Sequence, residues 1–188
     1  EDSLWDTARA WLTRTPIMGS SPGDDGDEEV VKNYVQSHIS AQIKHGEEMA
    51  SRMSKWGMGD SEAIKARFAS IAEGARDFLI PEGEIDRARA GLLFIESYRD
   101  LPLLSWPRTL IDRMIELEEA MVKWRHSHAR MVARIIGRRI GTGGSSGVDY
   151  LDATTSYRVF TDLWSVRTIL IKTELRPKLI NPEFYGFA

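Results

Sequence analysis

A histidine followed by a segment rich in glycine and hydroxyl residues is the part of this sequence best suited to chemistry. His128 lies in a long apolar-periodic segment, and thirteen residues later the chain runs Gly141-Thr142-Gly143-Gly144-Ser145-Ser146-Gly147. Four glycines free the backbone from the usual φ restriction, and the three hydroxyl groups donate and accept hydrogen bonds at short range. Such a loop can fold closely over a small polar ligand. His128 and the loop together therefore predict a binding site.

The segment that must position His128 is predicted to be one helix, Ser105–Ile136. Residues of one stripe recur along it in steps of four and three: Leu110, Met114, Leu117, Met121, Trp124, His128, Met131 and Ile135. This spacing is the a/d pattern of a packed seam, and the charged residues between its members, among them Glu118, predict a solvated face. Ser105 is a candidate N-cap, and Gly137 is placed to end the helix.

His128 occupies a stripe position that would otherwise hold Leu or Met, and two interpretations stay open. It can be a neutral core histidine whose ring nitrogens are hydrogen-bonded. Alternatively, it binds a metal centre, because Trp124 lies one turn earlier, Val132 one turn later and Met131 beside it. An apolar wall with one imidazole nitrogen suits a flat macrocycle such as haem. His126 lies about 200° around the helix and is not expected to serve the same site.

The residues around His128 resemble one family closely. The signature of tryptophan 2,3-dioxygenase is similar to Lys123-Trp124-Arg125-His126-Ser127-His128-Ala129-Arg130-Met131-Val132, then Gly137, the glycine-serine loop and Tyr150-Leu151. Further similar stretches are Trp11-Leu12-Thr13-Arg14-Thr15-Pro16, Val159-Phe160-Thr161-Asp162-Leu163-Trp164 and Leu175-Arg176-Pro177-Lys178. The resemblance thus extends over nearly the whole chain.

The resemblance implies a fold, a cofactor and a reaction. The fold is all-α, a helical bundle of the haem-dependent indole dioxygenase type. The reaction is oxidative cleavage of the indole C2–C3 bond of L-tryptophan, or a close derivative, with O₂ to N-formylkynurenine. The resemblance identifies His128 as the axial ligand of the iron of haem b. We expect Trp124, Met131 and Val132 to contact this cofactor.

The resemblance also gives the glycine loop, residues 141–147, a role in binding substrate. It implies that the Thr142 hydroxyl meets the ammonium group of the amino acid. Gly141, Gly143 and Gly144 would let the loop close over that substrate.

The resemblance begins partway along the family's pattern, which creates an expectation about partners. In the family, the N-terminal half carries the distal histidine and the arginine that binds the substrate carboxylate, and no such segment precedes Glu1. We therefore expect residues 1–188 to be the C-terminal portion of one helical domain, incomplete as a catalyst alone. The N-terminal half would lie on the same or a separate chain, in a homotetramer. The apolar faces of segments 1–14 and 84–98 are expected to pack against that partner.

Composition excludes several other classes of protein. The net charge of −3 and a pI near 5.9 give no electrostatic case for nucleic acid. The absence of cysteine excludes disulfides, thiolate catalysis and cysteine-ligated zinc or haem, and it is compatible with the expected cytoplasmic location. No apolar run is long enough for a transmembrane helix, so no membrane partner is expected.

Two other functions remain open beside dioxygenation. One is haem-dependent monooxygenation of a tryptophan derivative to an oxindole. The other, from a different class, is a non-catalytic haem-binding or structural helical subunit. The number of oxygen atoms in the product separates the two enzymes, and the iron content separates an enzyme from an inert scaffold.

Elsewhere the chain predicts helices and loops. Further helices are expected at residues 3–13, 28–52, 61–78, 84–98 and 157–171, with a solvated acidic loop over residues 16–27. His38 and His45 are seven residues apart without a matching carboxylate cluster, so both are predicted to be surface residues rather than metal ligands.

Overall fold

The computed structural model of this chain describes residues 3–17, 25–137 and 147–186, and the regular secondary structure in these ranges is helical. The α-helices are α1 (Leu4–Leu12), α2 (Asp25–Lys55), α3 (Ser61–Leu79), α4 (Arg87–Ser97), α5 (Ser105–Ile136), α6 (Gly147–Thr154) and α7 (Thr161–Ser165). Short 3₁₀ turns lie at Pro81–Gly83, Pro102–Leu104, Val166–Ile169, Thr173–Leu175 and Pro182–Tyr185. The all-α fold class expected from the sequence is confirmed.

The chain divides into two compact units. The first unit, Glu1–Arg108 with Trp164–Ala188, contains α1 to α4 and the C-terminal 3₁₀ turns. The second unit, Thr109–Leu163, contains most of α5, all of α6 and the start of α7. His128 therefore lies in the second unit.

Helices α2 and α3 form a hairpin in the first unit. A Cβ at Gly46 would lie 2.7 Å from Cβ of Phe68, so the glycine permits the close approach of these two helices. The turn between them uses Gly57 and Gly59, both at positive φ. Asp60 then caps α3 by accepting the amides of Glu62 and Ala63. Both helices were predicted, and each is longer than expected.

Helices α1 and α4 pack against each other, which contradicts the expectation that their apolar faces await a partner. Leu12 on α1 is buried, and Leu92 and Ile95 on α4 are fully buried. A Cβ at Gly91 would overlap the carbonyl oxygen of Leu12 and lie 3.0 Å from Cβ of Thr15. The buried parts of the two faces thus belong to the first unit, whereas Leu4 at the start of α1 stays 58% exposed. Sequence spacing does not reveal this long-range pairing.

The start of α2 corrects the predicted acidic loop. Residues 18–24 lie outside the described part of the chain, but α2 already begins at Asp25. Asp27 is buried and forms a 2.7 Å ion pair with Arg87. A carboxylate is tolerated inside a protein when it is paired with a cation, as Asp27 is with Arg87. Because the two residues are far apart in sequence, the residues around Asp27 do not reveal this pairing.

The predicted helix over residues 157–171 is wrong. Helix α6 ends at Thr154, and the hydroxyl of Thr154 donates a hydrogen bond to the carbonyl of Leu151. The amides of Val159 and Phe160 are bound by a side chain of α5 instead of by a preceding turn. Only five residues then form α7, which passes into the 3₁₀ turn Val166–Ile169. The α-helical part of the predicted range is therefore limited to Thr161–Ser165.

His38 is completely buried in the first unit, which corrects the surface location predicted for it. Its Nδ1 lies 3.1 Å from the carbonyl oxygen of Ile169. Tyr34, one turn earlier on α2, donates to the same carbonyl and accepts the amide of Ile171. These contacts attach the C-terminal segment to α2. His45 is exposed, as predicted.

Within the described ranges, no helix combines the length and apolarity that crossing a bilayer requires.

Candidate functional site

Helix α5 carries His128, and its bounds agree with those predicted from the sequence. The helix ends because Gly137 adopts a φ of 62° while its amide bonds to the carbonyl of Ala133. Only the N-cap role predicted for Ser105 is wrong: Ser105 has helical dihedrals of −61° and −42°, and the 3₁₀ turn Pro102–Leu104 leads directly into it. Ser105 is therefore the first helical residue and not the N-cap.

The buried face of α5 is not the predicted apolar stripe. The buried residues are Ile111, Ile115, Glu118 and Ala129. With 3.6 residues per turn, this face is rotated by about 100° from His128. Members of the stripe remain accessible, with exposed fractions of 45% for Leu117, 65% for Trp124, 50% for Met131 and 73% for Ile135. The prediction that the stripe is a packed seam is thus wrong for these four residues.

The ring of His128 is oriented by Trp124. The two rings are stacked, with their centroids 5.4 Å apart and their planes only 6° from parallel. A spacing of four residues places them on adjacent turns of the same helical face. The imidazole stacks on the indole and is only half-buried. The first of the two interpretations, a hydrogen-bonded histidine in the core, therefore does not describe His128 in the described part of the chain.

The surroundings of His128 fit a haem. Its imidazole is half-buried, and the described residues form no hydrogen bond to its ring nitrogens. The neighbours on the same face are apolar: Trp124 and Met131 are exposed, and Val132 is half-buried. An accessible imidazole nitrogen within an apolar surface has the donor chemistry that an axial ligand of haem requires. His126 is exposed and lies on the opposite side of α5.

Glu118 is a buried residue of α5 whose position sequence reasoning missed. Its predicted solvated position is wrong, because only 2% of the residue is exposed. Its Oε1 accepts the amide of Val159 and, at 2.9 Å, the amide of Phe160. The sequence around Glu118 does not indicate that it is buried. Only its partners, distant in sequence, distinguish Glu118 from the exposed Glu116 and Glu119.

The predicted substrate loop is only partly within the described chain. Gly141, Thr142, Gly143 and Gly144 lie outside the described residues, and Gly147 is the first residue of α6. Among the residues that the structure describes, no group of three or more His, Asp or Glu side chains is arranged to hold a metal ion.

Comparison with known proteins identifies similar sequences. The sequence model of a family described as tryptophan 2,3-dioxygenase matches residues 1–170. A tryptophan 2,3-dioxygenase-like protein of Xanthomonas campestris pv. campestris is 43% identical over 95% of this chain and 68% of its own length. Tryptophan 2,3-dioxygenase 2 of Ralstonia nicotianae is 43% identical, with coverages of 95% and 51%. Tryptophan 2,3-dioxygenase of Sorangium cellulosum is also 43% identical, with coverages of 94% and 45%.

The chain thus spans 68% of the length of the Xanthomonas relative and about half the length of the other two. The names of these relatives describe neither a monooxygenase nor a non-catalytic haem protein. The comparisons therefore give no support to the two alternative functions.

Proposed function

Because the chain belongs to the tryptophan 2,3-dioxygenase family, we propose that it supplies the haem-binding helix and the substrate loop of a dioxygenase acting on L-tryptophan. The reaction is cleavage of the indole C2–C3 bond with O₂, which yields N-formylkynurenine. The observation that carries the proposal is the His128 imidazole, which is accessible on an apolar face and oriented by Trp124.

His128 would bind the iron of haem b through one ring nitrogen. When bound, the haem supplies the redox-active iron that activates dioxygen. Stacking on Trp124 restricts rotation of the imidazole, which favours one orientation of its nitrogen lone pair. Because that orientation exists before the cofactor binds, less conformational entropy is lost on binding.

Met131 and Val132 would form an apolar wall against the cofactor. Met131 follows His128 by three residues and Val132 by four, so both lie on the same side of α5. Covering this wall removes apolar surface from water.

The glycine loop would bind the charged end of the substrate. We assign the Thr142 hydroxyl to the substrate ammonium on the family resemblance, with Gly141, Gly143 and Gly144 allowing the loop to approach the ligand closely. A hydroxyl oxygen can accept a hydrogen bond from an ammonium N–H, so a threonine is chemically suited to this role.

The remaining parts of the active site would come from outside this chain's residues. We propose that a companion segment, corresponding to the family's N-terminal half, supplies a distal histidine and a carboxylate-binding arginine. The assembly would be a cytoplasmic homotetramer. The greater length of the relatives and the exposed face of α5 both support a companion segment.

The experiment that tests the proposed function is a product analysis. The purified protein is incubated with L-tryptophan and O₂, and the product is identified by mass. Two added oxygen atoms indicate the dioxygenase reaction, whereas one added atom indicates an oxindole and overturns the proposal. The intact mass of the same preparation shows whether a companion segment is present, and residues 1–188 alone serve as the matched control, expected to be inactive.

A further inference from the structure

Met131 is the most exposed methionine of helix α5. Half of this residue is accessible, whereas Met114 and Met121 of the same stripe are only partly exposed. Met131 follows His128 by three residues, so it lies on the side of α5 that carries the imidazole. A methionine that is open to solvent thus lies beside the residue proposed to bind iron.

The thioether of an exposed methionine reacts with hydrogen peroxide without help from a catalytic group. The sulfur lone pair attacks one peroxide oxygen and the O–O bond breaks. The proton on the transferred oxygen passes to the departing hydroxide, which leaves as water. The sulfur is thereby oxidised by two electrons to a sulfoxide while the peroxide is reduced by two. The main requirement is access of the oxidant to the sulfur, and the exposure of Met131 meets it.

A sulfoxide at Met131 would alter the apolar wall that the proposed function assigns to the haem. Oxidation turns a flexible apolar side chain into a polar one whose oxygen accepts hydrogen bonds. Water solvates that oxygen while the face of α5 is uncovered. A bound macrocycle would displace this water, and the face of its ring offers no donor in exchange. Burial of an unpaired polar group costs free energy, so the sulfoxide weakens the binding of haem.

We propose that Met131 is a site of reversible oxidation by hydrogen peroxide, and that its sulfoxide hinders the loading of haem onto the His128 face of α5. This inference rests on the proposed function, because the contact between Met131 and haem is assigned there. Methionine sulfoxide is returned to methionine by methionine sulfoxide reductases, one for each epimer. Loading of the cofactor thereby depends on the peroxide that the haem-free protein has met.

The test uses the haem-free protein, with any companion segment that it carries, and three variants. Met131→Leu removes the sulfur but keeps an apolar side chain, and Met131→Gln introduces a polar group without peroxide. Met58→Leu is the matched control, because Met58 is 55% exposed but belongs to the first unit. Each protein is titrated with haem before and after limited treatment with hydrogen peroxide. Peptide mass spectrometry measures the oxidised fraction of each methionine and of Trp124.

We expect peroxide to oxidise Met131 and Met58 at comparable rates. Treatment should raise the dissociation constant for haem about five- to a hundredfold in the parent and in Met58→Leu, but less than about twofold in Met131→Leu. Untreated Met131→Gln should bind haem more weakly than the untreated parent. Methionine sulfoxide reductases should restore the affinity of the treated parent, which separates oxidation of methionine from damage to the exposed Trp124.

Three results would overturn the inference. If Met131 stays unoxidised while Met58 is converted, Met131 is not a site of oxidation. An oxidised Met131 with an unchanged dissociation constant contradicts its effect on haem, and so does an equal loss of affinity in treated Met131→Leu. An untreated parent that binds no haem overturns the proposed function, and with it this inference, and it is recognised because the failure appears before peroxide is added.

Discussion

The indole of Trp124 lies parallel to the imidazole of His128, with 5.4 Å between ring centroids. Neither ring is enclosed by the described part of the chain, so the stack stands on an exposed face of α5. Under the proposed function, this stack orients the imidazole for its ligand. This relationship leads to the first prediction.

Replacing Trp124 by Ala should weaken haem binding without preventing it. Aromatic pairs contribute about 0.5–1.5 kcal/mol, so the dissociation constant for haem should rise about two- to twelvefold. Trp124→Phe keeps a stacking ring and should lie close to the parent. Titration of the apoprotein with haem gives the constants. Trp56→Ala, at an exposed tryptophan of the first unit, should leave them unchanged.

Thr142 should matter for substrate and not for haem. A hydrogen bond to a charged group contributes about 1.5–3 kcal/mol, so Thr142→Ala should reduce kcat/KM for L-tryptophan about ten- to a hundredfold. Thr142→Ser retains the hydroxyl and should restore most of the loss. If Thr142→Ala stays within about twofold of the parent in kcat/KM, the assignment of the loop to the substrate ammonium is wrong.

Gly91 should be required for packing of α1 against α4. A methyl group there would overlap the carbonyl of Leu12, so Gly91→Ala should lower the free energy of unfolding by about 1–3 kcal/mol. At Gly74 on α3 a methyl group would meet nothing within 4 Å, so Gly74→Ala should instead stabilise the protein by up to about 1 kcal/mol. Urea denaturation of both variants measures the difference. Equal effects would contradict the close contact between Gly91 and Leu12.

His38 should make stability depend on pH. Burial lowers the pKa of its imidazole below the ordinary 6.5, although the carbonyls of Ile71 and Ile169 oppose this shift. The unfolded chain therefore takes up a proton at a higher pH than the folded one. The stabilising contribution is complete above about pH 6.5 and is lost as the pH falls through the folded pKa.

The measurement is the urea midpoint at about pH 7.5 and about pH 5.5. His38→Asn keeps an amide that can donate to the Ile169 carbonyl but cannot titrate, so its midpoint should change less with pH than that of the parent. His45→Asn is the control, since His45 is exposed. An identical pH dependence in the parent and His38→Asn would exclude His38 as the cause.

Local sequence features predicted much of the fold. The bounds of α5 agree because Gly137 gives a clear stop, and the start of α1 agrees because Ser3 and Asp6 form a capping box. The family, the all-α class and the dioxygenase type of oxidoreductase are likewise confirmed. The roles of His128 and Thr142 stay predictions.

The errors concern residues whose state is decided by distant partners. Glu118 and Asp27 have the sequence environment of surface charges, yet each is buried by a contact with a remote segment. Within the helix predicted for residues 157–171 only Thr161–Ser165 is α-helical, and the remote Glu118 binds the amides of Val159 and Phe160 just before it. A periodic pattern shows which face is apolar but not which face is covered, as the exposed Trp124 demonstrates.

The absorbance spectrum of the haem-reconstituted protein, compared with that of His128→Ala, tests the central claim most directly. We predict a Soret band in the parent and in His126→Ala, and loss or strong weakening of haem retention in His128→Ala, with unchanged helicity by circular dichroism. Normal haem occupancy and an unchanged ligand spectrum in His128→Ala would contradict the assignment of His128 as the iron ligand.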